Sequence, residues 1–208
     1  MLALLMTIGF AIKAEAKAIY TVNVAIAPGQ TRDCYIFMNA PYDNFVSFQM
    51  DLKLPEGLSL NTDNCLLTDR VLDQEQMLFA GNVGGNTYRI VSTSFNIIPI
   101  TKADGTLVKL SLTADANYNG GTVTLTNMIF FTDNCASVRA ASDSFTVKAA
   151  KKIKGDVDFD GQVNVTDAMY VIDYVLDSRK LYSSMLDVNG DGIIDVTDAM
   201  IIVESILN

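Results

Sequence analysis

Two twelve-residue stretches near the C-terminus hold the side chains best placed for chemistry. The first reads Asp156-Val-Asp-Phe-Asp-Gly-Gln-Val-Asn-Val-Thr-Asp167; the second, thirty-one positions on, reads Asp187-Val-Asn-Gly-Asp-Gly-Ile-Ile-Asp-Val-Thr-Asp198. Each has an oxygen-bearing side chain at positions one, three, five, nine and twelve, and glycine at six. This spacing lets hard oxygen donors converge on a cation, with the position-seven carbonyl added, while glycine permits the sharp bend. Val163 and Ile194, at position eight, are apolar, as paired loops need in order to hold each other through a short strand contact. Two such loops in tandem point to paired Ca²⁺ sites.

Each loop must be positioned by the element that follows it. Ala168, Val171, Ile172 and Val175 recur at helical spacing after the first loop, and Ala199, Ile202, Val203 and Ile206 after the second. Asn164 and Asp195 are suited to cap these helices, with Asp167 and Asp198 three residues on completing a capping box. Tyr170 and Tyr174 are either an exposed aromatic pair or packing against the neighbouring helix.

Charge is divided unevenly along the 208 residues. Residues 1–154 hold 13 acidic and 13 basic side chains, whereas residues 155–208 hold 11 acidic and 2 basic, so the net −9 lies wholly in the second part. Eight of those eleven acids are loop carboxylates. No basic stripe exists to neutralise phosphates, which argues against nucleic acid as a partner. There is no histidine, so a zinc site or a Cys–His nucleophile is not expected. Cys34, Cys65 and Cys135 are an odd set, consistent with one disulfide and a spare thiol or with three buried free thiols. Cys65 and Cys135 each end a Thr-Asp-Asn-Cys tetrapeptide.

Residues 1–16 read as a signal peptide. Met1 to Ile12 is apolar but too short to span a bilayer, and Ala14-Glu-Ala16 suits a signal peptidase, though a basic start is missing. This implies secretion, with a bacterial surface or the periplasm as alternatives, and no transmembrane anchor.

Residues 17–148 carry strand signals: Tyr20–Ile26, Cys34–Met38, Phe45–Leu54, Gln76–Ala80, Thr87–Ser94, Leu107–Thr113, Thr122–Phe131 and Phe145–Lys148, separated by turn residues. Phe48, Met50, Leu52 and Leu54 fall on one face. Many short strands with no helix predict an antiparallel sandwich or jelly roll. Residues 149–154 are a linker reaching at most about 20 Å, so residues 155–208 are closely tethered.

With these loops in view, the C-terminal module resembles a type I dockerin, a calcium-dependent domain that plugs proteins into cohesin domains. Both copies share Asp-Val-x-x-Asp-Gly, Val-Thr-Asp-Ala-Met and a final Leu, have Asp at position twelve, and lack an entering helix. The resemblance implies a small all-α domain of two EF-hand-like loop–helix repeats binding two Ca²⁺ ions. It assigns Asp156, Asp158, Asp160, Asn164, Asp167 and the Gln162 carbonyl to the first ion, and Asp187, Asn189, Asp191, Asp195, Asp198 and the Ile193 carbonyl to the second. It also implies partner contacts at Val165, Thr166, Val196 and Thr197; the matching pairs would allow docking in two orientations. This chain has Val-Thr where Ser-Thr is the pair associated with the family. The N-terminal region resembles cohesin-like or carbohydrate-binding-module-like sandwiches of secreted Bacteroidetes-type proteins, on Phe48-Gln-Met-Asp-Leu-Lys-Leu-Pro-Glu-Gly-Leu-Ser-Leu60, Ile90–Ser94 and Gly105–Leu110.

The chain therefore reads as a non-catalytic secreted adaptor, its dockerin-like module docking on a cohesin-type domain in polysaccharide-degrading or cell-surface assemblies. Glycan binding by the sandwich is the alternative, weakened by the absence of tryptophan and of an evident tyrosine row. Enzymatic chemistry lacks a recognisable carboxylate pair or triad. Head-to-tail self-association is a further expectation, with the short join disfavouring closure within one chain.

Overall fold

The computed structural model describes residues 19–39, 44–73, 75–100, 105–178 and 180–208, so the segment read as a signal peptide lies outside it. Residues 19–149 form two packed sheets. The first contains β1 (Ile19–Thr21), β3 (Thr31–Met38), β5 (Leu58–Leu60), β6 (Leu66–Leu67) and β9 (Gly105–Ala114), in the order β1-β3-β9-β5 with β6 also on β9. The second contains β2 (Val24–Ile26), β4 (Phe45–Lys53), β7 (Met77–Gly84), β8 (Thr87–Thr93), β10 (Gly121–Thr132), β11 (Ser137–Arg139) and β12 (Asp143–Ala149), in the order β2-β12-β10-β4-β8-β7 with β11 on β10. Among the described pairs only β2 with β12 is parallel.

The predicted sandwich is present, and its strand alternation is the expected one. Phe48, Met50, Leu52 and Leu54 all face the core, where they meet Ile36, Leu110, Val123 and Phe130. Two differences are instructive. The single strand predicted over Tyr20–Ile26 is broken at Val22-Asn23, so β1 joins one sheet and β2 the other. The Asn23 side-chain carbonyl accepts from the Thr146 amide and pins the crossing. β5, β6 and β11, of three, two and three residues, are too short to show a period.

All three cysteines are free thiols, but only Cys34 and Cys65 are buried; Cys135 is exposed. Burial pushes the Cys34 thiol up to about 12 and the Cys65 thiol up to about 11, which makes both poor nucleophiles.

The C-terminal module is built from α1 (Val165–Leu176) and α2 (Val196–Leu207). Its small core holds Val157, Ala168, Val171, Leu186, Ala199 and Ile202, and it takes in Ala27 from the sandwich. The join is an extension of β12: the Ala150 amide donates to the Ile26 carbonyl at 3.0 Å.

The two modules also pack on each other, through the segment between the repeats. The Asp33 amide donates to the Tyr182 carbonyl at 2.7 Å and the Ser184 amide to the Thr31 carbonyl at 2.9 Å, so this segment pairs with the start of β3. Beneath it the buried Asp33 and Lys109 form an ion pair at 3.1 Å; Lys109 also donates to the Lys180 carbonyl and Asp33 accepts from the Tyr182 amide.

On the outer face of the second sheet, Asp51 is 4% exposed. It accepts Arg89 Nε at 2.7 Å and Nη2 at 2.8 Å, and Asn127 Nδ2 at 2.7 Å. The Arg89 hydrogen bond, opposed by burial and helped by Asn127, holds its carboxyl below the usual range. A depressed carboxylate contributes stability above its unfolded value of about 4, and loses it as pH falls through the folded value. Asp51→Asn is expected to lower the urea midpoint at pH 7, with the gap to wild type closing between pH 4 and the acid limit in denaturation curves.

Candidate functional site

The first loop folds so that its carboxylates face inward. Asp156, Asp158 and Asp167 each offer an oxygen within 4.8 Å of the others. Backbone geometry achieves this: the Asp160 and Gly161 amides donate to the two Asp156 oxygens at 3.1 and 3.0 Å, with Gly161 at φ +93°. Asp167 closes the loop from its far end. Its Oδ1 accepts from the Val157 amide at 2.8 Å and its Oδ2 from the Asn164 amide at 2.9 Å. Asp160 turns back on itself, accepting from the Gln162 amide at 2.7 Å, and stands outside the inner trio.

The second loop repeats this wiring. Asp187 accepts from the Asp191 and Gly192 amides at 3.2 and 3.0 Å, and Asp198 accepts from Val188 at 2.8 Å and Asp195 at 3.0 Å. Position three is Asn189, whose Nδ2 donates to Asp191 Oδ2 at 2.9 Å. With an amide there, only the first loop gathers three carboxylates within that distance among the described residues. Position nine serves the helix in both copies: Asn164 Oδ1 accepts from Thr166 and Asp195 Oδ1 from Thr197, and both expected capping boxes form. Gln162 and Ile193 occupy position seven in both loops on the exposed side. The expected strand contact between Val163 and Ile194 is absent among the described pairings; both are half-buried against the small core.

The electrostatics of this wiring call for a cation. Asp156, Asp167 and Asp198 are each 0% exposed. No ion pair joins a basic side chain to any of the eight loop acids among the described residues, although the Arg32 guanidinium lies close enough to offset part of the rise at Asp158. Burial raises Asp156 above the ordinary carboxylate range, with the neighbouring Asp167 and Asp160 adding to it against the amides of Gly161 and Asp160. Asp158 is raised first by burial as well. Buried carboxylates without a counter-charge are costly. An all-oxygen, multiply acidic donor set in a flexible loop fits a hard divalent ion of the Ca²⁺ type.

Beyond the loops, the two helices present a duplicated apolar face. Val165, Met169, Ile172, Val175 and Leu176 are exposed, and so are Val196, Met200, Val203, Ile206 and Leu207, each thirty-one residues on. Val165 and Val196 are 63% and 54% exposed, with Thr166 and Thr197 open beside them. Between the helices runs an apolar groove of about 360 Å³, lined by Ala168, Met169 and Ile172 and by Ala199, Met200 and Val203. Only part of the predicted helical stripe is core: Ala168, Val171, Ala199 and Ile202 are buried, while Ile172, Val175, Val203 and Ile206 face outward.

The duplicated loops, capped helices and outward face coincide with a known family match. Residues 154–207 form a dockerin type I domain. The sandwich has the cohesin fold. It is similar to the sixth cohesin of Acetivibrio cellulolyticus scaffoldin B, solved in complex with a mutant dockerin, at TM-score 0.53 and 10% identity over 64% of this chain and 99% of that one. It is similar also to the structure of a type I cohesin–dockerin complex from Clostridium thermocellum, at TM-score 0.51 and 12% identity over 63% and 92% of the two chains. A third is CaCohA2 from Clostridium acetobutylicum, at TM-score 0.50 and 17% identity over 62% and 89%. No curated protein matches the chain.

Sequence reasoning missed the side chains joining the dockerin domain to the sandwich. Arg32 and Asp33 precede the predicted Cys34–Met38 strand, which in the structure begins at Thr31, Lys109 lies in the predicted Leu107–Thr113 strand, and Tyr182 lies in a stretch without a period. Tyr170 and Tyr174, left open above, are half-buried on the small core, and Tyr174 meets the Tyr182 ring at 5.8 Å. On the outer side of β1 and β3, Tyr20 stacks on Phe37 at 5.0 Å and Tyr35 meets Phe37 at 72°. These rings face one another and do not make a flat row for a sugar chain.

Asp167 holds the first loop and the start of α1 together, so Asp167→Ala leaves the buried Val157 amide without its acceptor. This is expected to cost about 1–3 kcal/mol per donor left unpaired. The far-UV circular dichroism helix signal should fall and chemical denaturation of the C-terminal module should shift to lower denaturant.

Proposed function

We propose that this protein is a non-catalytic adaptor whose dockerin domain, folded by two Ca²⁺ ions, docks through its duplicated helix face on a cohesin-type domain. The observation carrying this reading is the outward apolar face itself. Monomeric soluble domains rarely expose contiguous apolar surface of this kind without a partner for it. The ligands would be Asp156, Asp158, Asp160, Asn164 and Asp167 with the Gln162 carbonyl, and Asp187, Asn189, Asp191, Asp195 and Asp198 with the Ile193 carbonyl. The partner contacts would be Val165, Thr166, Val196 and Thr197, joined by Met169 and Met200 in the groove. Because each contact recurs in the second repeat, a partner could seat in either of two orientations. The setting is extracellular, in polysaccharide-degrading or cell-surface assemblies.

A second copy of the chain is itself a source of a cohesin-type domain, and one surface favours it. The outer face of the second sheet lines up Phe79, Val91, Gln49, Ile129 and Arg139 across β7, β8, β4, β10 and β11. Met77 and Phe131 are exposed on the same side, at 44% and 41%. Exposed Lys53 and Arg139 flank it, whereas the helices offer exposed Asp173 and Glu204. The dockerin domain packs against the other sheet and at β2, the edge of this sheet opposite β7, so the helix face and this sheet face do not close within one chain and are open to head-to-tail pairing.

Calorimetry should give two Ca²⁺ ions per chain. Multi-angle light scattering should show assemblies with Ca²⁺ that dissociate with chelator and are absent in the Met169→Glu/Met200→Glu variant, which retains both ions. If the chain stays monomeric in Ca²⁺, the partner is a cohesin-type domain of another protein, to be captured from culture supernatant with Ca²⁺ by the wild type alone. Equal capture by the double variant would sink the docking face.

A further inference from the structure

The two loops differ at one position in a way that neither metal ligation nor docking explains. At position four the second loop has Gly190, at φ +78°, exposed and with no heavy atom within 4 Å of where a Cβ would lie. The first loop has Phe159 there at φ +60°, in the left-handed region that an aromatic residue seldom adopts. Its ring is not loose: Phe159 is only 5% exposed. The Arg32 guanidinium lies 5.6 Å above the ring centroid.

Arg32 belongs to β3 of the sandwich. Its Nη1 donates to the carbonyl of Ala25 at 2.9 Å and to the carbonyl of Asp158, the neighbour of Phe159. The sandwich therefore grips the first loop by its backbone and its one aromatic side chain, whereas no hydrogen bond among the described residues joins it to the second loop. The same edge pairs with residues 182–184 between the repeats, as described above.

We infer that the sandwich edge around Ala25, Thr31, Arg32 and Asp33 is a docking surface for the chain's own first loop and inter-repeat segment, and that divalent-cation loading of the dockerin domain closes it. This rests on the metal reading proposed above. The loop carboxylates repel one another until a cation neutralises them, so the loop backbone that Arg32 contacts takes this shape when loaded. Linkage makes the effect reciprocal: whatever favours the closed interface favours the loaded loop. The consequence is a domain pair rigid in calcium and hinged without it, coupled through one repeat only.

The amides of Asp33 and Ser184 report directly on this interface, because each donates across it. Hydrogen exchange on the full chain should show both amides protected in Ca²⁺, losing about tenfold or more in protection on chelation. In Arg32→Ala they should exchange fast even in Ca²⁺, while the amides of α1 and α2 stay protected and calorimetry still counts two ions. Phe159→Tyr, which keeps the ring, should behave as wild type. If calorimetry finds no ions, the metal reading fails and this inference with it. If two ions bind yet the Asp33 and Ser184 amides exchange alike with Ca²⁺ and with chelator, or Arg32→Ala leaves their protection intact, the coupling alone is overturned.

Discussion

The mutual repulsion of inward-facing carboxylates is the constraint on which the C-terminal module of this molecule depends. Asp156, Asp158 and Asp167 converge within 4.8 Å, and Asp156 and Asp167 are shut off from water. Backbone amides aimed at them offset part of the cost, but each amide carries only a partial charge. The same contacts tie the loop to the helix: Asp167 is at once the twelfth loop residue, the inner member of the capping box and the acceptor for Val157. A module of this size has little core of its own. Its helices are held in place largely by the ends of the loops that precede them.

That economy of core explains the surface. Ala168, Val171, Ala199 and Ile202 are the buried apolar residues by which α1 and α2 join the small core, completed by Val157, Phe159, Met185, Leu186 and Val188 from outside the helices. Val165, Met169, Ile172, Val175 and Leu176, with their counterparts thirty-one residues on, lie outward in pairs related by the duplication. An amphipathic helix normally turns its polar side to solvent. Here the outward side is apolar, and it is the surface that the proposed docking uses.

The sandwich contributes more than a fold. Its first sheet receives the segment between the two repeats as a short added strand, and a buried Asp33–Lys109 pair is completed by that segment's backbone. The ion pair would lose its hydrogen bonds to residues 180 and 182 if the dockerin domain swung away. The two modules are thus linked by satisfied polar groups as well as by the chain. On the opposite sheet Phe79, Met77 and Phe131 stay in the open.

Much of this was legible in the residues because it is local. Loop spacing, glycine at the sharp bend, the capping partners three apart and the alternation of Phe48, Met50, Leu52 and Leu54 are all decided by neighbours in the chain. The family resemblance rested on the same local repeats. What the sequence alone could not reveal depends on residues far apart meeting: the split of Tyr20–Ile26 between two sheets, the outward turn of Ile172 and Val203, and the three free thiols. The Arg32–Phe159 contact spans more than a hundred residues, and no period or motif announces it. The duplicated loops were determined by the sequence, since converging carboxylates need only short-range spacing. Which loop the sandwich holds, and which face stays open, was decided by the tertiary structure, since both follow from how two separately folded surfaces fit.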